Sequence, residues 1–217
     1  MINESTNKPI TNHDQIDEGY IKYNCIWEKA SPPNEEYLTE INRWRQKLFE
    51  LELIGEYRDS GIGYGNISTR HPEHNDQFII TATQTGGFEK LNKNHYSLVT
   101  ACSIEENRVY CRGLQKASSE ALTHYIIYNL NISYNAVMHI HHHKMWKQLQ
   151  FKLPTTPKNI TYGTPDIAFE IKWMYDRNIL KNRIIIMAGH EDGVITFGNN
   201  MDECGDVLLH YLSNISV

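Results

Sequence analysis

The chain has 217 residues, 40% hydrophobic and 22% charged, and a formal net charge of −5. That length suits one large domain with a full core, and no apolar run reaches the roughly 18 residues needed to span a bilayer. An acidic balance with no Lys/Arg block excludes general attraction to nucleic acid or to an anionic lipid surface, so a small-molecule partner is favoured. Cys25, Cys102, Cys111 and Cys204 are scattered without C-x-x-C spacing, which argues against both a disulfide framework and a thiolate zinc site. The polar first residues carry no secretory signal, and a cytoplasmic location is expected by default.

Residues 1–18 are poor in large apolar groups and read as a flexible polar arm ahead of a domain over 19–217. Ser31-Pro32-Pro33-Asn34 opens a helix. Its apolar stripe, Tyr37, Ile41, Trp44, Leu48 and Leu51, predicts an end near Gly55. Gly61 to Ser68 reads as a glycine-rich turn running into a strand, and Gln77 to Thr81 as a second strand followed by the turn Thr83-Gln84-Thr85-Gly86-Gly87. Leu98–Ile104 and Arg108–Arg112 form a predicted hairpin around Glu105-Glu106-Asn107. Ser118 is expected to cap the next helix, with Leu122, Tyr125, Ile126 and Leu130 at a helical period. Asn135 to His143 reads as an apolar strand ending in histidines. Thr164-Pro165-Asp166 starts a helix with Ile167, Ile171, Met174 and Tyr175 on one side. Strands at Ile184–Met187 and Val194–Phe197 flank Gly189-His190-Glu191-Asp192-Gly193, and a last helix begins near Met201. Strands and helices mix without strict alternation, which predicts an α+β domain layered around a mainly antiparallel sheet.

The histidine run carries the chemistry. On an extended chain side chains alternate faces, so His139 and His141 point the same way while Ile140 points the other. Neutral imidazole is a common ligand for zinc and its neighbours. An internal position rules out an expression tag, but a chance His-rich turn stays open. His190, at a strand end, is a plausible third ligand. His142 faces away from such a site, and His143 reads as a solvated turn residue or as lining the substrate side. His124 reads as structural. Ser118-Ser119-Glu120 stands at a helix start, where free N–H groups and the helix dipole favour an anion; the alternative is an ordinary capped helix with an acidic first turn. Gly65-Asn66 and Thr85-Gly86 carry the same two readings, phosphate-wrapping turn or plain turn.

Taken in order, Asn66-Ile67-Ser68, Thr85-Gly86, Ser118-Ser119-Glu120, His139-Ile140-His141 and His190 resemble the class II aldolase/adducin family, from about Trp44 to Leu209. The resemblance implies a single three-layer α/β/α domain, usually a homotetramer with active sites between subunits. It implies that His139, His141 and His190 hold zinc or another divalent metal. Asn66, Thr85, Gly86, Ser118 and Ser119 would bind the phosphate of a phosphorylated sugar, with Glu120 as the acid/base. The implied reaction is aldolase cleavage or formation of a carbon–carbon bond in a phosphorylated ketose through a zinc-stabilised enediolate. Glu rather than Asp at position 120 fits the aldolases better than the epimerases of that family. A sugar-phosphate epimerase, a dehydratase and a non-catalytic adducin-like assembly domain are the alternatives. The chain departs from the family pattern at Glu191-Asp192, which separate His190 from Gly193, and in a phosphate turn one residue longer, which leaves Thr83 beside Thr85 as a candidate. Tyr162 and Tyr211 are candidate proton donors to a leaving aldehyde.

Overall fold

Most of the apolar periods seen in the sequence become elements in the computed structural model, which describes residues 19–215. The arm expected over residues 1–18 lies outside the described residues. In chain order these are β1 (Asn24–Lys29), a 3-10 turn (Glu35–Leu38) leading into α1 (Thr39–Glu50), β2 (Gly55–Tyr57), β3 (Ile62–Tyr64), β4 (Asn66–Arg70), β5 (Phe78–Thr81), β6 (Tyr96–Ser103), β7 (Arg108–Gly113), α2 (Ala121–Leu130) and β8 (Ala136–His141). They continue with α3 (His143–Leu149), β9 (Thr155–Thr156), α4 (Pro165–Asp176), β10 (Ile184–Met187), β11 (Gly193–Gly198) and α5 (Met201–Ser213).

Among the described residues, nine strands form one sheet in the order β1-β7-β6-β5-β4-β8-β11-β10-β9, and β2 and β3 form a separate hairpin. Its interior pairs are antiparallel, and the edge strands β1 and β9 pair in parallel. Strand alternation then sorts side chains into two cores. Val137 of β8, Ile185 of β10 and Ile195 of β11 face α2 and α4. Met138, Ile140, Ile184, Ile186 and Val194 face α1 and α5. This is a single α+β domain of three layers, as the sequence predicts. Helix α2 is buried nearly all round, from Ala121 to Tyr128, as befits a helix enclosed in the interior rather than lying on a surface.

Several expectations change. Helix α1 ends at Glu50 rather than near Gly55, because Leu51 N–H and Glu52 N–H close its last turn on Lys47 O and Phe49 O, and Glu52 takes a left-handed φ of 56°. Leu51 is therefore exposed and off the stripe, while Ile41, Trp44 and Leu48 are buried. Ser118 does not cap α2. Glu120 occupies the cap position, and the Ser118 hydroxyl instead accepts from Glu120 N–H at 3.3 Å, an extra turn ahead of the helix. Strands β1, β2 and β9 and helix α3 had no clear sequence signal. β1 is an exposed edge with polar residues in it, and α3 starts inside the histidine run, at His143, capped by the His142 ring accepting from Met145 N–H at 3.0 Å.

Candidate metal centre and anion cradle

Adjacency in the sheet assembles the histidines. β8 lies between β4 and β11, so His139 sits opposite Asn66 on one side and Ile195 on the other, and His141 sits opposite Gly193. His139 and His141 share the face that looks towards α2, and His190 enters from the β10–β11 turn. The three Nε2 atoms converge, with 3.1 Å between those of His139 and His141 and 2.8 Å between those of His141 and His190. All three residues are buried. Tetrahedral zinc with Zn–N near 2.0–2.1 Å would set such nitrogens about 3.3 Å apart, so the donor set fits a small divalent cation with little adjustment. Burial, then the neighbouring His141 and His190, hold the His139 pKa well below its ordinary value, which keeps that imidazole in the neutral form a metal requires.

Gly193 makes this convergence possible. A Cβ there would stand 2.5 Å from His190 Cδ2 and 3.2 Å from His139 Cε1, so any side chain would drive two of the rings apart. Glu120, with no exposure, brings Oε1 to 3.8 Å from His139 Nε2 and 3.9 Å from His190 Nδ1. Tyr162 lies edge-on to His190, ring centres 4.4 Å apart, and its hydroxyl pairs with the Tyr20 backbone. Tyr211 instead packs with α5 against the core on the other face of the sheet.

The structure brings all five candidate anion residues to one cavity. Asn66, Thr85, Gly86, Ser118 and Ser119 line it together with Gly19, Gly63, Gly65, Ala82, Thr83 and Gln84. Thr83 and Thr85 both reach it, so the longer turn presents both. The Thr85 hydroxyl also donates to Ala82 O at 2.8 Å. Asn66 Oδ1 is buried without a hydrogen-bond partner among the described residues, a polar atom left for a ligand or water to satisfy. The cradle is nearly shut, with a volume of about 10 Å³, room for one water at most. Gln84 closes it by donating from Nε2 to Gly19 O at 3.1 Å and accepting from Gly63 N–H at 3.1 Å.

A supporting residue behind the cradle escaped the sequence reading. Arg45, on α1 and 1% exposed, donates to Thr85 O and Gly86 O at 3.1 and 2.8 Å and to Glu89 O at 3.0 Å, so it holds the cradle turn from behind. Burial pushes its pKa down to about 10. Its signal was available, since Arg45 falls four residues after Ile41 and three before Leu48, on the buried stripe itself. Gly86 is pinned from the opposite side, because a Cβ there would stand 2.3 Å from Gly55 O. Of the remaining histidines, His124 is fully buried with Nδ1 2.6 Å from Ser68 Oγ, which also meets the Tyr128 hydroxyl at 2.6 Å. His143 is exposed and pairs with Asp192 at 2.8 Å.

Comparisons with known proteins identify the family and the fold. Residues 52–212 match the family described as Class II Aldolase and Adducin N-terminal domain. No curated protein matches the chain in a sequence search. Among solved structures, an L-fuculose 1-phosphate aldolase is similar at 19% identity and a TM-score of 0.61, over 84% of this chain and 85% of that one. YgbL from Escherichia coli, described as a putative aldolase/epimerase/decarboxylase, is similar at 18% identity and 0.59, over 81% and 84%. A sugar-phosphate aldolase from Thermotoga maritima is similar at 15% identity and 0.57, over 82% and 95%. At such identities these likenesses establish a shared fold, and the family match covers most of the sequence: the chain belongs to the class II aldolase and adducin N-terminal domain family.

Proposed function

We propose that the protein is a metal-dependent aldolase, a lyase that cleaves or forms a carbon–carbon bond in a phosphorylated ketose, acting in the cytoplasm as a homo-oligomer, most simply a tetramer. The observation that carries this reading is Glu120. It is a buried carboxylate 3.8 and 3.9 Å from two of three converging imidazoles, directly after the two serines of the cradle. A pure assembly domain has no physical need for that combination.

In this reading His139, His141 and His190 hold zinc or another divalent cation. A cation held there would supply Lewis acidity towards the substrate carbonyl. Ser118, Ser119, Thr85 and Asn66 offer side-chain donors to the substrate phosphate and Gly86 its backbone N–H, with the start of α2 adding its dipole. Anchoring the phosphate fixes one end of the substrate relative to Glu120, which turns a chance encounter into an oriented one. Glu120 then takes a proton from the substrate and returns it. Burial of the whole group excludes water and strengthens each electrostatic contact.

Proton exchange at carbon in dihydroxyacetone phosphate, followed by NMR in heavy water, tests this without knowledge of the aldehyde partner. Exchange is expected in the wild type and should slow by about 10²- to 10⁴-fold in Glu120→Gln. A metal-loaded wild type that exchanges nothing would sink the aldolase reading and point to dehydration or to a scaffold.

A further inference from the structure

The β2–β3 hairpin stands apart from the large sheet, yet it touches both halves of the site. At one end it hems in the cradle turn, with Gly55 O and the Tyr64 backbone against Gly86, and Gly63 N–H bonded to Gln84. At the other, the Tyr57 hydroxyl is 2.8 Å from His141 Nδ1. The Tyr57 ring lies 4.8 Å from that of Tyr64, and the Tyr64 ring 5.4 Å from that of His141, so the phenol is wedged against the imidazole rather than brushing it. His141 Nε2 is the atom common to both short contacts of the triad, 3.1 Å from His139 and 2.8 Å from His190.

An imidazole that presents a bare Nε2 to a cation must carry its proton on Nδ1, and that N–H needs an acceptor to hold the ring in one tautomer and one orientation. Resting on the metal reading of the triad, we propose that Tyr57 is a positioning residue for the metal centre. Its hydroxyl oxygen accepts the His141 Nδ1–H, fixes Nε2 towards the ion and ties metal affinity to the seating of the hairpin. A neutral phenol does this without adding a negative charge beside the ligand. The cation therefore keeps more of its own charge for the substrate than it would with a carboxylate in that place.

Tyr57→Phe removes the oxygen and keeps the ring. Metal-free wild type and Tyr57→Phe are titrated with zinc against a chromophoric chelator, and their cobalt(II) visible spectra are compared. The expected result is binding weaker by about 10- to 100-fold in Tyr57→Phe, an altered cobalt spectrum, and an unchanged urea midpoint for the metal-free protein. Tyr64→Phe, which alters the stacked neighbour but not the His141 bond, should bind zinc as the wild type does. Equal affinity and spectrum in Tyr57→Phe and wild type would overturn the inference and leave the metal reading standing. So would a loss of affinity matched by an equal loss of metal-free stability, which is a structural role. A wild type that binds no ion would overturn both.

Discussion

The candidate metal centre and the candidate anion cradle are built by opposite means. Two of the three imidazoles project from β8 in the middle of the sheet, and their separation follows from strand pleat and register. The cradle is made of turns, Thr83 to Gly86 and Ser118-Ser119, held by Arg45, by the β2–β3 hairpin and by Gln84. The first already holds its Nε2 atoms 2.8 and 3.1 Å apart, near the spacing a small cation needs, whereas the second is closed to about 10 Å³. Strand-borne sites are preorganised by hydrogen bonds that the fold needs anyway. Loop-borne sites depend on side chains that a ligand can displace.

The largest test of that contrast removes ligands. His139→Ala with His141→Ala should take the purified protein from close to one divalent ion per chain to none by elemental analysis, and an unchanged content would refute the centre. Next comes the turn. Arg45→Ala strands three carbonyls that are now bonded to a guanidinium, and should cost about 3 kcal/mol in urea unfolding while weakening binding of inorganic phosphate. If phosphate binding survives that loss, the cradle does not depend on its support.

A third test concerns the ground beneath the triad. Burial lowers the His124 pKa from 6.5 to about 3. The unfolded chain therefore binds this proton more readily than the folded one. The resulting stability is complete above pH about 6.5 and is lost as the pH falls towards 3. Urea unfolding at pH 7, 5.5 and 4.5 should show that decline, with a shallower slope in His124→Asn; parallel slopes would mean that His124 is not the titrating group. The smallest effect is expected from Gln84→Ala, which removes two hydrogen bonds that shut the cradle. Phosphate affinity should rise about three- to tenfold, the worth of roughly one such bond, and a fall would mean that Gln84 itself holds the anion.

Much of this was legible because local patterns and burial coincide. The apolar run from Ala136 to His141 is a strand signal, and the pleat of that strand is the reason that two imidazoles share a face, so element and candidate site were read from the same residues. The stripe Ile41, Trp44 and Leu48 identified α1 for the same reason. Where local signal was weak, reading failed. β1 is an edge strand with a mostly exposed face, so it lacks apolar alternation, and its identity comes from pairing with β7 far along the chain. Helix α3 was hidden because His142 and His143 read as solvated turn residues after the strand. One is a helix cap and the other a surface partner of Asp192. Tyr57 was invisible as a site residue, and Arg45 showed only as a charge on a buried stripe, because each acts on a partner distant in sequence, His141 in one case and the Thr85-Gly86 turn in the other.

By itself the sequence determined the residue types and spacings that make a three-imidazole cluster and a serine-rich helix start, since these follow from side-chain chemistry and backbone period. Only the tertiary structure decided that β8 would run between β4 and β11, bringing Asn66 beside His139 and Gly193 beside His141. It alone decided that Glu120 would face His139 and His190, and that a hairpin would reach both halves of the site. The physical reason is that strand order and loop closure are set by the burial of two cores on opposite faces of one sheet, a property of the whole chain that no local window contains.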